Sequence, residues 1–423
     1  MRRLIAYPHR LWRRLGPGLI TGAADDDPSG IATYSQAGAQ YGYSLGWTML
    51  FTYPLMVVIQ EISARIGRIT RHGLAGNLRR FYPPWLLNAL VASLVVANTL
   101  NLGADLGAMG SALKLVFGGF DKIYVVVIGV LSVLLQVYMD YRRYVAILKW
   151  LTLSLFSYVG VVLLVDMPWD QVFWGLFVPQ IHWHDPLYWA MVVAVFGTTI
   201  SPYLFFWQSA QEAENTRIDP DAKPLLIAKD QRAGELRRIR IDTVVGMGFS
   251  NLIGLFILLT AAATLHAHGI TDIQTSAQAA EALRPLAGDF TASVFALGIV
   301  GTGLLAVPVL AGSAAYAVGE AFRWPLGLTR KPYEARAFYA TLATATAVGT
   351  VINFTDLDPI KALLWSAILN GIVAVPILIA MMLVASSHKI MGRMMLSVRM
   401  RLAGWFATVA MAVCVVAMFA SFI

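Results

Sequence analysis

The chain has 423 residues, 58% of them hydrophobic and only 13% charged, with a formal net charge of +8. Soluble domains carry about 25% charged residues, so there are too few here to cover a water-facing surface. Intrinsic disorder, a disulfide scaffold and a coiled coil are excluded as well. The single cysteine, Cys414, cannot form an intramolecular disulfide and is expected to pack within its apolar run.

In chain order, the opening MRRLIAYPHRLWRRLGPG lacks the apolar core of a cleavable signal and reads as a basic lead-in at the membrane surface. Eleven apolar stretches follow, at about 16–40, 44–66, 85–117, 122–140, 144–166, 187–212, 241–267, 290–320, 335–354, 360–385 and 403–423. Each is long enough to cross a bilayer as a helix. Backbone groups in lipid must be satisfied internally, and no alternating strand pattern appears, so helices are expected and not a barrel. Spans three and eight are over-long, which predicts tilt or extension beyond the membrane.

With the N-terminus placed in the cytoplasm, 28 of the 32 Lys and Arg fall in cytoplasmic segments, against Lys122, Arg284 and Lys361 outside. Such a split obeys the positive-inside rule. It also supports the span count, since one missed helix would invert every later loop. The basic surplus is therefore topological, and no nucleic-acid partner is expected. Residues 213–240 read as a solvated cytoplasmic loop. The outer loop 167–186 carries Trp169, Trp174 and Trp183, which suit interfacial anchoring; His182 and His184 beside them are the lesser, metal-capturing reading.

Carboxylates inside spans are costly and mark functional cavities. Span one contains Asp25, Asp26 and Asp27 followed by Pro28, Ser29 and Gly30; span two carries Glu61, and span three carries Asp105. Proline removes a backbone donor and glycine loosens the chain, so a lipid-facing helix cannot run through this acidic stretch. Unwinding there frees carbonyl oxygens beside carboxylates, a setting that suits a hard cation. A second break falls in span six, where Gly197, Thr198, Thr199, Ser201 and Pro202 interrupt an apolar helix. Interrupted helices five spans apart indicate an inverted-repeat transporter with its site where the breaks meet. The repeats are expected at about 16–166 and 187–385, with an additional helix at about 403–423.

The stretch DPSGIATYSQAGA resembles the first-helix motif of the NRAMP metal transporters, DPGN followed by QAGA. VVIQEISARIGRITRHGLAGNLRRFYP resembles that family's second helix and following loop, NLGADLGAMGS its third-helix segment, and GTTISPYLFFWQS its sixth-helix motif. The resemblance runs through all eleven spans. It implies an all-α, leucine-transporter-like fold, a 5+5 inverted repeat with helices 1 and 6 unwound at mid-membrane plus an eleventh helix, working by alternating access.

The same resemblance implies a metal site at Asp27, Gly30, Thr198, Ser201 and the backbone of Ala24. Asp25, Asp26, Asn370 and Tyr203 would line its surroundings, and Asp105, Glu61 and Gln208 an inner polar or proton pathway. The chain departs from the family at Gly30, where an asparagine coordinates, and at Ser201, where a methionine does. Tyr203 and Gln208 replace two histidines, and Ala108 replaces a third-helix glutamate. A thioether favours softer ions over Mg²⁺, and Mg²⁺ keeps several waters and binds through one or two carboxylates. The pattern is similar to the NRAMP-related magnesium transporter branch.

A Mg²⁺ importer that also accepts Mn²⁺ is therefore expected, with weak or no proton coupling and no cofactor. It is expected in the inner (plasma) membrane, with a cytoplasmic N-terminus and an extracytoplasmic C-terminus, as a monomer or weak oligomer whose partners are the ion and the bilayer. Rival readings are a proton-coupled Mn²⁺/Fe²⁺ importer, a metal-sensing receptor without flux and an amino-acid carrier, the last disfavoured by the clustered acids. No HExxH, GxSxG or Walker pattern suggests an enzyme.

Overall fold

The computed structural model describes residues 17–139, 150–219, 221–355 and 357–422, and their regular structure is entirely helical. The chain opens with a broken helix, α1 (Pro17–Asp25) and α2 (Pro28–Tyr41). It continues through α3 (Gly46–Thr70), the short α4 (Leu74–Phe81), α5 (Pro84–Phe117) and α6 (Asp121–Tyr138). After α7 (Phe156–Leu164) and α8 (Trp169–Phe177) comes the second broken helix, α9 (Pro186–Thr199) and α10 (Pro202–Ile218). The remaining long helices are α11 (Lys229–Thr264), α12 (Thr291–Phe322), α13 (Arg336–Ile352), α14 (Pro359–Ser386) and α15 (Val398–Ser421).

Among the described residues, eight helices are long and apolar enough to cross a membrane, counting α9–α10 as one. The α1–α2 pair, α7 and α13 stand at the other three expected positions. The basic lead-in and the first part of the fifth expected span, 144–149, lie outside the described residues. Prolines open α2, α5, α9, α10 and α14, where the missing N–H costs nothing.

Two expectations need correction. Residues 213–240 are mostly helix: α10 runs on to Ile218 and α11 begins at Lys229. Falling hydropathy marks where a helix leaves the membrane and not where its hydrogen bonding ends. Loop 167–186 contains the helix α8, whose Gly175 lies so close to the Tyr43 carbonyl that an added Cβ would sit 2.1 Å from it. Its tryptophans do remain exposed, while His182 lies tilted beside the Tyr41 and Tyr188 rings.

The broken helices are fixed by close backbone contacts. A Cβ on Gly22 of α1 would lie 2.2 Å from the Gly246 carbonyl of α11, and one on Gly197 of α9 would lie 2.1 Å from the Ala367 carbonyl of α14. Small residues at such crossings let helices approach where lipid supplies no hydrophobic drive. Polar contacts then group the loops as the charge pattern expects. Tyr41 donates to Asp185 at 3.1 Å and Gln36 to the Thr271 carbonyl at 3.1 Å, all near expected outer segments. On the opposite side, Arg71 donates to the Thr216 carbonyl at 3.2 Å, Arg68 pairs with Glu235 at 3.1 Å, and Arg238 pairs with Glu212 at 2.6 Å.

Candidate metal centre

Each break has the same local cause. Pro28 lacks the N–H that would bond the Ala24 carbonyl four residues back, and Pro202 lacks the one that would bond the Thr198 carbonyl. Both carbonyls are taken up by hydroxyls: Ala24 O accepts from Tyr203 at 3.2 Å, and Thr198 O accepts from Ser201 at 2.7 Å. Each proline is preceded by an extended N-cap residue, Asp27 and Ser201 respectively. Thus the two backbone oxygens expected to face an ion are those that proline releases. A carbonyl has two lone pairs, so each can keep its hydroxyl donor and still offer an oxygen.

Asp27 is the centre of the arrangement and is buried. Its Oδ1 accepts from the Gly30 N–H at 2.7 Å, and its Oδ2 accepts from Asn101 Nδ2 at 3.1 Å and from the Tyr203 hydroxyl at 3.2 Å. The Tyr203 hydroxyl has one hydrogen to share between Asp27 Oδ2 and the Ala24 carbonyl, so at most three of the carboxylate's roughly four lone-pair sites are taken. Across from it, a Cβ on Gly30 would lie 3.2 Å from the Asp25 carbonyl oxygen, 3.3 Å from Thr198 Oγ1 and 3.5 Å from Asp27 Oδ1. The two breaks therefore face each other at Gly30, and oxygens from both surround the place where a side chain would start.

The other expected residues divide into two groups. Asp25 and Asp26 both reach Ser250 of α11, at 2.6 and 3.0 Å. That hydroxyl has one hydrogen, so it serves one carboxylate at a time, and Asp25 Oδ1 has no hydrogen-bond partner among the described residues. Asp105 is fully buried near Asp27 and the Ser29 backbone, and no side chain among the described residues donates to it. Asn370 is buried with its Oδ1 unpartnered, beside the Gly371–Gly197 crossing. By contrast, Glu61 is held by Arg65 one turn on, and Gln208 donates to Thr243 at 3.2 Å. No hydrogen bond links either to Asp27.

Asn101, Ser250 and Ser366 were not picked out in the sequence, and Ser29 was named only as part of the break. Asn101 holds Asp27, Ser366 of α14 donates to Asn101 Oδ1 at 2.7 Å, and Ser29 donates to the Leu363 carbonyl at 3.0 Å. A signal for Asn101 was present: Asn98, Asn101 and Asp105 share one face of α5 at helical spacing. Ser250 and Ser366 carried none, because a lone serine in an apolar helix is common. Among the described residues no group of three or more His, Cys, Asp or Glu side chains converges on one point. A cation here would meet one Asp27 oxygen, backbone carbonyls, hydroxyls and its own water.

Comparisons agree with this organisation. Residues 18–421 match the Nramp family model, described as natural resistance-associated macrophage protein-like. The divalent metal cation transporter MntH of Chromohalobacter salexigens is 30% identical over 294 residues, covering 68% of this chain and 66% of that protein. MntH of Klebsiella pneumoniae is 26% identical over 399 residues, covering 92% and 90%. Among solved structures, the manganese transporter of Eremococcus coleocola in complex with an aromatic bis-isothiourea compound superposes with TM-score 0.76 at 17% identity, over 97% of this chain and 86% of that one. MhsT in complex with L-phenylalanine superposes with TM-score 0.64 at 12% identity, over 96% and 98%. The fold is thus the leucine-transporter-like arrangement, with the first and sixth helices interrupted.

Proposed function

The chain belongs to the Nramp-like family, and from that premise we propose that it is a multi-pass membrane transporter importing divalent cations, Mg²⁺ foremost and Mn²⁺ second, with weak or no proton coupling. The observation that carries the reading is the meeting of the two breaks at Gly30, where the oxygens of Asp25, Asp27 and Thr198 surround a position with no side chain. An all-oxygen setting with a single directly placed carboxylate suits a hard ion that keeps part of its water. The residues named for the site supply no sulfur or imidazole, the ligands that would favour softer metals.

Asp27 would be the carboxylate ligand, with the Ala24 and Thr198 carbonyls, the Ser201 hydroxyl and the space at Gly30 completing the site. Asp25 and Asp26 would act through Ser250 or through water. Asp105 would extend the polar path beyond Asp27. The C-terminal ends of α1 and α9, which carry partial negative charge, would favour the cation. Import toward the basic, cytoplasmic side would be driven by the membrane potential, which contributes about 4.6 kcal/mol for a divalent ion at 100 mV.

The test is flux of Mg²⁺, Mn²⁺ and Ca²⁺ into liposomes containing the purified protein at fixed potential, with internal pH recorded. Mg²⁺ entry without acidification is expected. Robust Mg²⁺-dependent acidification would overturn the uncoupled reading, and Mn²⁺ flux without Mg²⁺ flux would overturn the ion assignment. Ion binding without any flux would favour a sensor.

A further inference from the structure

A charged cavity lies away from the proposed ion site, on the side where the basic loops gather. It has a volume of about 230 Å³ and is lined by Arg79, Arg217, Arg323, Arg330, His72 and Glu320, with Trp324 at its edge. These residues come from α4 and the turn before it, the end of α10, and the turn after α12, so three separate segments meet there.

The charge balance is one-sided. Glu320 is the only acid in the lining, and both its oxygens are occupied, by the Gly73 N–H at 2.6 Å and the Gly76 N–H at 2.8 Å. It is buried and caps the start of α4. Arg79 gives one bond to the Glu320 carbonyl at 2.7 Å, and Arg217 gives one to the Arg71 carbonyl at 3.1 Å. Both contacts are to neutral oxygens, and the buried Arg79 Nε has no partner. Arg323 and Arg330 are exposed, and neither guanidinium has a hydrogen bond or ion pair among the described residues.

A guanidinium carries five donors in a planar fork. Most of the donors in this cavity are therefore unspent, and like charges face each other across it. Residues 1–16 could not neutralise it, since they contain five arginines and no Asp or Glu. Arg323 ends α12 in a left-handed conformation, φ 61°, at a position glycine usually takes. The cavity is smaller than a drug-sized site, and converging arginines match the paired oxygens of phosphate.

We propose that this cavity is a binding site for a phosphate group, carried either by a free anion or by a lipid headgroup. Bound there, the group would bridge segments from both halves of the molecule. The exposed, stacked Phe322 and Trp324 rings, 5.1 Å apart, place membrane-interface side chains at the rim, where anionic headgroups are concentrated.

The experiment uses the full-length protein in neutral detergent and chloride buffer. Inorganic phosphate is titrated calorimetrically at constant ionic strength, and in parallel the protein is equilibrated with mixed phosphatidylglycerol–phosphatidylcholine vesicles and its retained lipid is measured. Saturable phosphate binding, weakened at least tenfold in the Arg323→Ala/Arg330→Ala variant, supports the site with a free anion. Phosphatidylglycerol enrichment lost in that variant, without phosphate binding, supports it with a lipid source. Neither effect in the parent, or the same effect in parent and variant, overturns the proposal.

Should the variant fail to fold, modification of the parent by an arginine-specific dicarbonyl reads the same question. Protection of Arg323 and Arg330 by phosphate or phosphatidylglycerol is expected, and equal modification with and without both would overturn it. Basal Mg²⁺ uptake of the variant should stay unchanged in phosphate-free, phosphatidylcholine liposomes, which separates this site from the proposed ion path.

Discussion

Replacing Asp27 by Asn removes the proposed ligand's charge while keeping its shape, and the surroundings can absorb the change. The Gly30 N–H, 2.7 Å from Oδ1, would still meet an amide oxygen. The new amide nitrogen would face Asn101 Nδ2, which donates to Oδ2 at 3.1 Å, so two donors would oppose each other. Asn101 can turn its amide over. Its oxygen then accepts from residue 27, and its nitrogen meets the Ser366 hydroxyl, which is free to donate to the Leu363 carbonyl at 2.7 Å. Tyr203 keeps the Ala24 carbonyl.

Hydrogen bonds to a charged group contribute about 1.5–3 kcal/mol and neutral ones about 0.5–1.5. Three such bonds would therefore lose about 3–4 kcal/mol gross. Much of this returns because a carboxylate no longer has to be kept out of water. Folding should persist, with a net change within about 2 kcal/mol. Transport should not. Losing a residue that merely orients a metal ligand costs about 10–100-fold, so losing the ligand's charge should reduce Mg²⁺ uptake by more than about 100-fold, with Asn101→Ala falling in the lower range. The assay is potential-driven Mg²⁺ entry into liposomes at matched protein content. Uptake by Asp27→Asn within about threefold of the parent, a difference below 0.7 kcal/mol in barrier, would refute the assignment.

The Gly30→Asn/Ser201→Met double variant should lose Mg²⁺ flux at least about tenfold while retaining or gaining Mn²⁺ flux, because an amide fills the space between the breaks and a thioether replaces a hydroxyl; unchanged ion preference in competition assays would count against it. Gly197→Ala should lower thermal stability in detergent by about 1–3 kcal/mol, since its Cβ would sit 2.1 Å from the Ala367 carbonyl; an unchanged melting temperature would show that the crossing is loose. Burial first, and then Arg80, Arg217, Arg79 and Arg71, push His72 down to about 4, with Glu320 the only acid lining the same cavity. An unfolded histidine binds its proton near pH 6.5. His72 therefore contributes stability above that pH, and the contribution is lost as pH falls toward 4. His72→Gln should flatten the decline of melting temperature between pH 6.5 and 4.5 in phosphate-free buffer, and an identical decline would contradict this.

Much of the architecture was legible because it depends on local properties. Hydropathy over about 20 residues marks a span, the charge of short loops marks a side, and a proline removes one particular backbone bond. Those rules located the breaks at Pro28 and Pro202 and the acidic stretch before the first; only the family resemblance pointed to Asp27 within it. They misread residues 213–240, because a helix continues into water without any apolar requirement.

What the sequence by itself determined, then, is the run of apolar helices and the two interruptions, each a property of a short window. The tertiary structure decided which oxygens meet. Gly30 comes to face Thr198, Asn101 and Tyr203 converge on Asp27, Ser250 lies between Asp25 and Asp26, and four arginines from distant segments share one cavity. The physical reason is that the central helices are buried nearly all round, α9–α10 most of all. Such a helix shows no apolar face and no polar face, so its periodicity does not say which neighbour each side meets. Only the crossing of helices at backbone distance makes that choice.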